Sequence, residues 1–175
     1  KIIEFLGWCD DLGIPVVTLY MLSIENLTKR TEDELEDLLR IIGDVATELA
    51  EAKLWRVQLV GSRDALPKNL RTRLEKAEKA TKNIDGLHVN LAVAYGGRNE
   101  IAEAMKQIVK KHAQAGTKTE DLLELLTPEL ITEHLYTGGQ PDPDLIIRTS
   151  GEQRLSGFLL WQSSNSELAH HLGNS

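Results

Sequence analysis

Apolar residues Ile2, Ile3, Leu6 and Cys9 recur near helical spacing before Gly13, which predicts an opening helix stopped at that glycine. The run IPVVTLYML behind it is short, β-branched and almost continuously apolar, the pattern of a strand covered on both faces. Thr31 then reads as an N-cap with Glu34 three residues on. Leu35, Leu38, Leu39, Ile42, Val45, Ala46 and Leu49 carry one long amphipathic helix to about Ala52. Residues 56–60 predict a second strand closed by Gly61, and Pro67 opens a helix with Leu70, Leu74 and Ala77 inward. LHVNLAVAY is a third strand, residues 99–115 form a helix ended by Gly116, and Thr127-Pro128 start a further one. Residues 144–149 and 158–161 complete the pattern as a fourth and a fifth strand.

Strands alternating with helices imply βαβ units, and so an α/β fold: a single domain with a mostly parallel central sheet flanked by helices. Such sheets bind ligands beyond the carboxyl ends of their strands. The segments that fall there are Ser23-Ile24-Glu25-Asn26, Gly61-Ser62-Arg63, Gly96-Gly97-Arg98-Asn99, and residues 149–156. The domain is expected over residues 1–168, with 169–175 a tail. Because the pattern opens mid-helix at a residue other than Met, further residues are expected upstream of Lys1. The adjacent His170 and His171 face apart in a helix or a strand, so a tail suits them better than a chelating pair.

Charge changes this picture. At 175 residues, 41% hydrophobic and a net charge of -7, the chain suits a globular core and argues against a nucleic-acid surface or strong binding to anionic membrane. Any anionic ligand needs a local basic cluster. The single cysteine, Cys9, excludes an internal disulfide, suits a reducing cytoplasm and reads as a buried structural thiol. No apolar run approaches the ~18 residues of a membrane span, which leaves peripheral membrane contact at most.

Neither GxGxxG nor GxxxxGK[ST] occurs, so a nucleotide cradle is not expected. Arg148 at a strand end, with Thr149, Ser150, Gly151, Glu152, Arg154 and Ser156 after it, offers guanidiniums, hydroxyls and backbone N–H groups, the parts of a diphosphate site. The same arginines could instead pair with Glu152 and Glu167 as a structural network. Ser23, Glu25 and Asn26 could be chemistry at a strand end, or a turn and cap leading into a helix. Gly96-Gly97-Arg98-Asn99 is read as a strand-to-helix turn with Asn99 as cap, and the apolar stripe of the long helix as core before groove wall.

Three segments together resemble a known family. YMLSIENL resembles the cis-prenyltransferase pattern Y-x-x-S-x-E-N-W, and AYGGRNEI its N-Y-G-G-R-x-E-I. Residues 136–168 resemble the signature P-D-P-D-L-x-I-R-T-S-G-E-x-R-x-S-N-F-L-L-W-Q. The likeness runs from Lys1 to about Leu168, nearest to short-chain members of the undecaprenyl diphosphate synthase-like family. It implies a homodimer with a hydrophobic tunnel between sheet and long helices, magnesium as cofactor, and isopentenyl diphosphate and a geranyl- or farnesyl-type allylic diphosphate as substrates. By matching position it assigns Arg148, Arg154 and Ser156 to the diphosphate of isopentenyl diphosphate, Glu152 to substrate binding, and Lys29 or Arg30 to the basic position near Ser23, Glu25 and Asn26. Asn26, Ser23 and Glu25 orient substrate and relay the proton, and Glu167 is linked to the metal. Met21, Leu22 and Leu39 fall along the tunnel, where the bulk of Met21 implies an early stop and a short product such as Z,E-farnesyl diphosphate.

The sequence also departs from that pattern. The family's M-D-G-N-x-R-W-A motif, whose aspartate holds magnesium and the allylic diphosphate, is not among these residues, so the 175 residues alone are expected to be inactive. Leu27 replaces the usual Trp, Gly157 replaces the Asn of S-N-F, and Ala169-His170-His171 replaces aromatic positions. Two other readings follow: a non-catalytic partner subunit of a cis-prenyltransferase, and a member that joins dimethylallyl units head-to-middle.

Overall fold

The computed structural model describes residues 1–150 and 154–170. They cluster into two compact units that meet in sequence between Tyr95 and Gly96. The first contains α1 (Ile2–Asp11), β1 (Val16–Ser23), α2 (Asn26–Lys29), α3 (Glu32–Ala52), β2 (Arg56–Val60), α4 (Lys68–Thr81) and β3 (His88–Tyr95). The second contains α5 (Gly97–Gln114), α6 (Thr119–Leu125), α7 (Pro128–His134), β4 (Leu145–Arg148) and β5 (Glu167–His170). The parallel α/β class predicted by the pattern is present. Its strands form a three-stranded sheet, order β1-β3-β2, and a two-stranded sheet, β4-β5, every pairing parallel.

In the first unit β3 is the central strand and its residues from Val89 on are all buried, as a continuous apolar run requires. Ile42, Ala46 and Leu49 of α3 and Leu70, Leu74 and Ala77 of α4 close one core with Val57, Leu59, Val89 and Leu91. Leu6 and Cys9 of α1 join that core; Cys9 is 6% exposed, and burial raises its thiol pKa, which keeps it protonated and unreactive. The edge strand β2 would present bare N–H groups, and α4 covers them. Thr81 Oγ1 accepts from Val57 N–H at 2.9 Å, and Glu78 Oε1 from Leu59 N–H at 2.7 Å. Glu78 also takes both ends of the Arg63 guanidinium at 2.8 Å.

The carboxyl ends of β1 and β2 are both tied to β3. Ile24 N–H donates to the Tyr95 carbonyl at 2.9 Å and Ser62 N–H to the Ala94 carbonyl at 3.1 Å. The β1–β3 register slips here, from Tyr20↔Ala92 to Leu22↔Val93 to Ser23↔Tyr95, so Met21 and then Ala94 stand out of register. Ala94 takes a left-handed φ of 51°, a strain held by full burial of the strand end.

Several boundaries differ from the sequence reading. The fifth strand expected at 158–161 is a series of turns; the partner of β4 is β5, which takes in Ala169 and His170 from the expected tail. Turns win at 156–159 because Ser156, Gly157 and Leu159 all hold positive φ, which a strand cannot accommodate. Helix α5 starts at Gly97 with Gly96 as N-cap, three residues before the cap expected at Asn99. Thr31 is the N-cap of α3 but makes no side-chain cap bond, whereas Thr127 Oγ1 accepts from Leu130 N–H at 3.2 Å as Thr-Pro at a helix start predicts. The short helices α2 and α6 have too few turns to show a period.

Gly61 sits at φ 151° with its α-carbon against the Val93 carbonyl, so an added Cβ has no room. Gly61→Ala should cost about 1–3 kcal/mol, read as a lower urea midpoint at unchanged m-value. His88 has its pKa lowered by burial and by the Arg56 guanidinium. Its folded-state pKa therefore lies below the unfolded value of about 6.5, so the folded protein binds fewer protons and stability falls as pH drops through that value. His88→Gln should flatten the loss between pH 7 and pH 5, measured by thermal melts across that range.

Candidate active site

The sequence-marked groups of the first unit collect where β1 ends. Ser23 is the last residue of β1, and its Oγ accepts from the Asn26 N–H, the first residue of α2, at 3.1 Å. Glu25 carries the α2 turn: its carbonyl accepts from Thr28 Oγ1 at 2.9 Å, and its carboxylate pairs with Lys29 Nζ at 3.0 Å. That pair is about 70% exposed on both sides (71%/72%), so it orders the turn weakly. Arg30, exposed, is the C-cap residue of the same turn. The turn-and-cap alternative for Ser23 and Asn26 is thus realised, and it leaves the Ser23 O–H and the Asn26 amide available to a ligand.

The apolar residues that the resemblance places along a tunnel divide. Leu22 is 1% exposed and belongs to the core, whereas Met21 and Leu39 are half-buried and pack against its edge. Val17 and Leu19 of β1 and Leu35 and Leu38 of α3 share that half-buried state, while the later α3 positions Ile42, Ala46 and Leu49 are closed. The stripe of α3 is therefore core along its second half and accessible apolar wall along its first.

The basic cluster lies in the second unit. β4 alternates, with Ile146 buried between exposed Leu145 and Ile147, and it delivers Arg148 half-buried at its end. Arg148 Nε donates to Ser150 Oγ at 3.0 Å, and Nη1 to Ser156 Oγ at 3.2 Å and to the Arg154 carbonyl. Three of the matched positions thereby come together: Arg148, the Arg154 backbone and Ser156. Ser156 reaches this place through a left-handed φ of 50°, a cost of about 1 kcal/mol or more for a residue with a Cβ. Glu152, assigned to the same loop, lies outside the described residues, as does His171. Glu167 opens β5 exposed, its N–H donating to the Asp144 carbonyl at 2.9 Å.

Sequence reasoning left Glu100 unassigned although it stands in the AYGGRNEI segment. It is 1% exposed, and its Oε1 accepts from Tyr136 N–H at 3.0 Å and from Gln162 Nε2 at 3.1 Å. The signal was a lone acid on the face of α5 that also carries Ala104 and Ile108. Beside it Tyr136 has its pKa pushed up to about 12 by burial and by Glu100 and Glu103, so its hydroxyl stays protonated.

Magnesium takes oxygen ligands and usually keeps waters while sharing one or two carboxylates with substrate phosphates. Among the described residues no three His, Cys, Asp or Glu side chains gather into a cage, and the exposed Glu167 carboxylate fits the part of a single ligand. No helix among the described residues is long and apolar enough to cross a membrane.

Comparison with known proteins gives these features a common context. "Isoprenyl transferase 1" of Streptomyces avermitilis is 50% identical over 167 residues, 95% of this chain and 65% of that protein. "(2Z,6E)-farnesyl diphosphate synthase" of Mycobacterium tuberculosis is 50% identical over 169 residues, 96% of this chain and 64% of that protein. The chain thus spans somewhat under two thirds of the length of these curated relatives. The crystal structure of lavandulyl diphosphate synthase from Lavandula x intermedia in complex with dimethylallyl diphosphate superposes with a TM-score of 0.85 at 32% identity, covering 95% of this chain and 71% of that one. The family model described as "Putative undecaprenyl diphosphate synthase" matches residues 1–172, and the chain belongs to that family, the cis-prenyltransferases.

Proposed function

We propose that the protein joins an allylic diphosphate of geranyl or farnesyl type to isopentenyl diphosphate, forming a Z double bond and stopping at a short product such as Z,E-farnesyl diphosphate. The observation that supports it most is the Arg148–Ser156 cradle, on a chain 50% identical to a protein named (2Z,6E)-farnesyl diphosphate synthase. In the reaction the π pair of isopentenyl diphosphate, at C4, forms a bond to C1 of the allylic substrate. The C1–O bond breaks, the diphosphate leaves with its electron pair, and loss of a proton from C2 closes the new double bond.

The residues have separable parts in this reading. Arg148 and Arg154 hold the diphosphate of isopentenyl diphosphate through fixed positive charge, and Ser156 donates its hydroxyl to a phosphate oxygen. The Ser150 and Ser156 oxygens that accept from Arg148 fix the guanidinium plane before substrate arrives, which reduces the ordering cost of binding. Glu152, and separately one of Lys29 and Arg30, are further substrate-binding groups in this reading. Asn26 and Ser23 orient the reacting carbons and take up the released proton, with Glu25 as the neighbouring carboxylate. Glu167 would hold magnesium, which would supply positive charge to neutralise the departing diphosphate.

The accessible apolar wall of Val17, Leu19, Met21, Leu35, Leu38 and Leu39 is the place for the growing hydrocarbon, with the buried Leu22 backing it. A flexible thioether at Met21 fills that space and limits length. The reading includes a homodimer in the cytoplasm, with at most peripheral membrane contact.

Arg148→Ala in the full-length protein should weaken isopentenyl diphosphate by roughly 10- to 100-fold, as loss of a charge-assisted bond does, with the allylic KM little changed. Unchanged affinity in calorimetry would sink the site assignment. Met21→Ala should lengthen the products seen by chromatography of the dephosphorylated alcohols; an unaltered distribution rules out its part in chain length.

A further inference from the structure

Glu100 is the one acid among the described residues that is almost fully buried, and its bonds are not those of an inert core residue. Both carboxylate oxygens accept from Gln162 Nε2, at 3.1 and 3.2 Å, and Oε1 also accepts from Tyr136 N–H. Gln162 Nε2 further meets Thr137 Oγ1 at 2.9 Å, and Gln162 is itself 3% exposed. A buried carboxylate left without donors is costly, so these groups are held together tightly.

Gln162 lies within the run of turns that separates Ser156 from Glu167. That run has no strand or helix ladder of its own and, besides the bond of the Ser166 hydroxyl to the Pro143 carbonyl, is pinned from outside at three points. Gly97 N–H donates to the Gly157 carbonyl at 3.0 Å, Trp161 Nε1 donates to Thr132 Oγ1 at 2.9 Å, and Gln162 reaches Glu100. At the first point a Cβ on Gly97 would strike the Gly157 carbonyl, so α5 and the turn are in backbone contact. The pin at Glu100 is the only charged one of the three.

The geometry points to Glu100 as a positioning residue for the diphosphate site: through Gln162 it fixes the turn that sets Ser156 beneath Arg148 at one end and Glu167 at the start of β5 at the other. It touches no substrate. The inference rests on the proposed function, and its reach is the isopentenyl diphosphate side alone.

The test uses the full-length protein and calorimetric binding of isopentenyl diphosphate, beside KM for each substrate and a thermal melt. Glu100→Gln sets an amide against the Gln162 amide and should weaken isopentenyl diphosphate roughly tenfold or more while the allylic KM holds. The exchange Glu100→Gln with Gln162→Glu restores one carboxylate facing one amide and should recover most of the loss. If E100Q does not fold, Gln162→Met removes the same donor and carries the same expectation. Binding as tight as in the wild type, or equal weakening of both substrates with no recovery in the exchange, overturns the inference. Arg148→Ala separates the two levels: if it weakens binding and the Glu100 and Gln162 variants do not, only the positioning role is lost, whereas no effect of R148A removes both.

Discussion

The carboxyl end of β3 is the constraint on which the first unit depends. A strand buried on both faces cannot leave backbone groups unpaired, so its last carbonyls must find donors. They find them in the loops that follow the neighbouring strands: Ala94 takes the Ser62 N–H and Tyr95 takes the Ile24 N–H, while Val93 stands so close to Gly61 that no side chain fits between. The loops are therefore placed by the sheet. A left-handed Ala94 and an out-of-register Met21 are the local costs of closing this end.

The second unit solves a different problem. A parallel pair of four-residue strands has little stability of its own, and the turns between Ser156 and Glu167 have less. Their order comes from side chains on α5 and on the segment around residues 132–137, through an indole, an amide and a buried carboxylate. Charge is placed where it contributes most: inside, as a clamp for the turn, and at the strand end, as a guanidinium set by two hydroxyls and a carbonyl. The net acidity of the chain is no obstacle to an anionic ligand, since a few arginines at short range outweigh screened charge elsewhere.

Much of this was legible along the chain. Period and β-branching gave β1, β2 and β3 to within two residues or so, because long apolar runs and alternations reflect burial that any sheet requires. Thr127-Pro128 announced α7, because that pair caps and opens a helix, whereas Arg148 with Ser156 offered the parts of a diphosphate site and equally of a structural network. The apolar run at 158–161 misled, since Leu159 is buried through a turn and a buried apolar run looks the same in turn or strand. Met21 and Leu22, adjacent and both apolar, have different surroundings that no periodicity shows, because a register slip lies between them.

Sequence by itself determined the class of fold, the strands and helices with long periods, and the residue types that could hold a diphosphate, since each follows from local pattern or from a motif read in one stretch. Tertiary structure decided what those residues do. Whether Ser23 caps a turn, whether Arg148 meets Ser156, and whether Glu100 is surface or clamp depend on contacts across 3, 8 and 62 positions of chain. The physical reason is that a hydrogen bond depends on distance and direction in space, and for Glu100 and Gln162 only the packing of α5 against the turns supplies them.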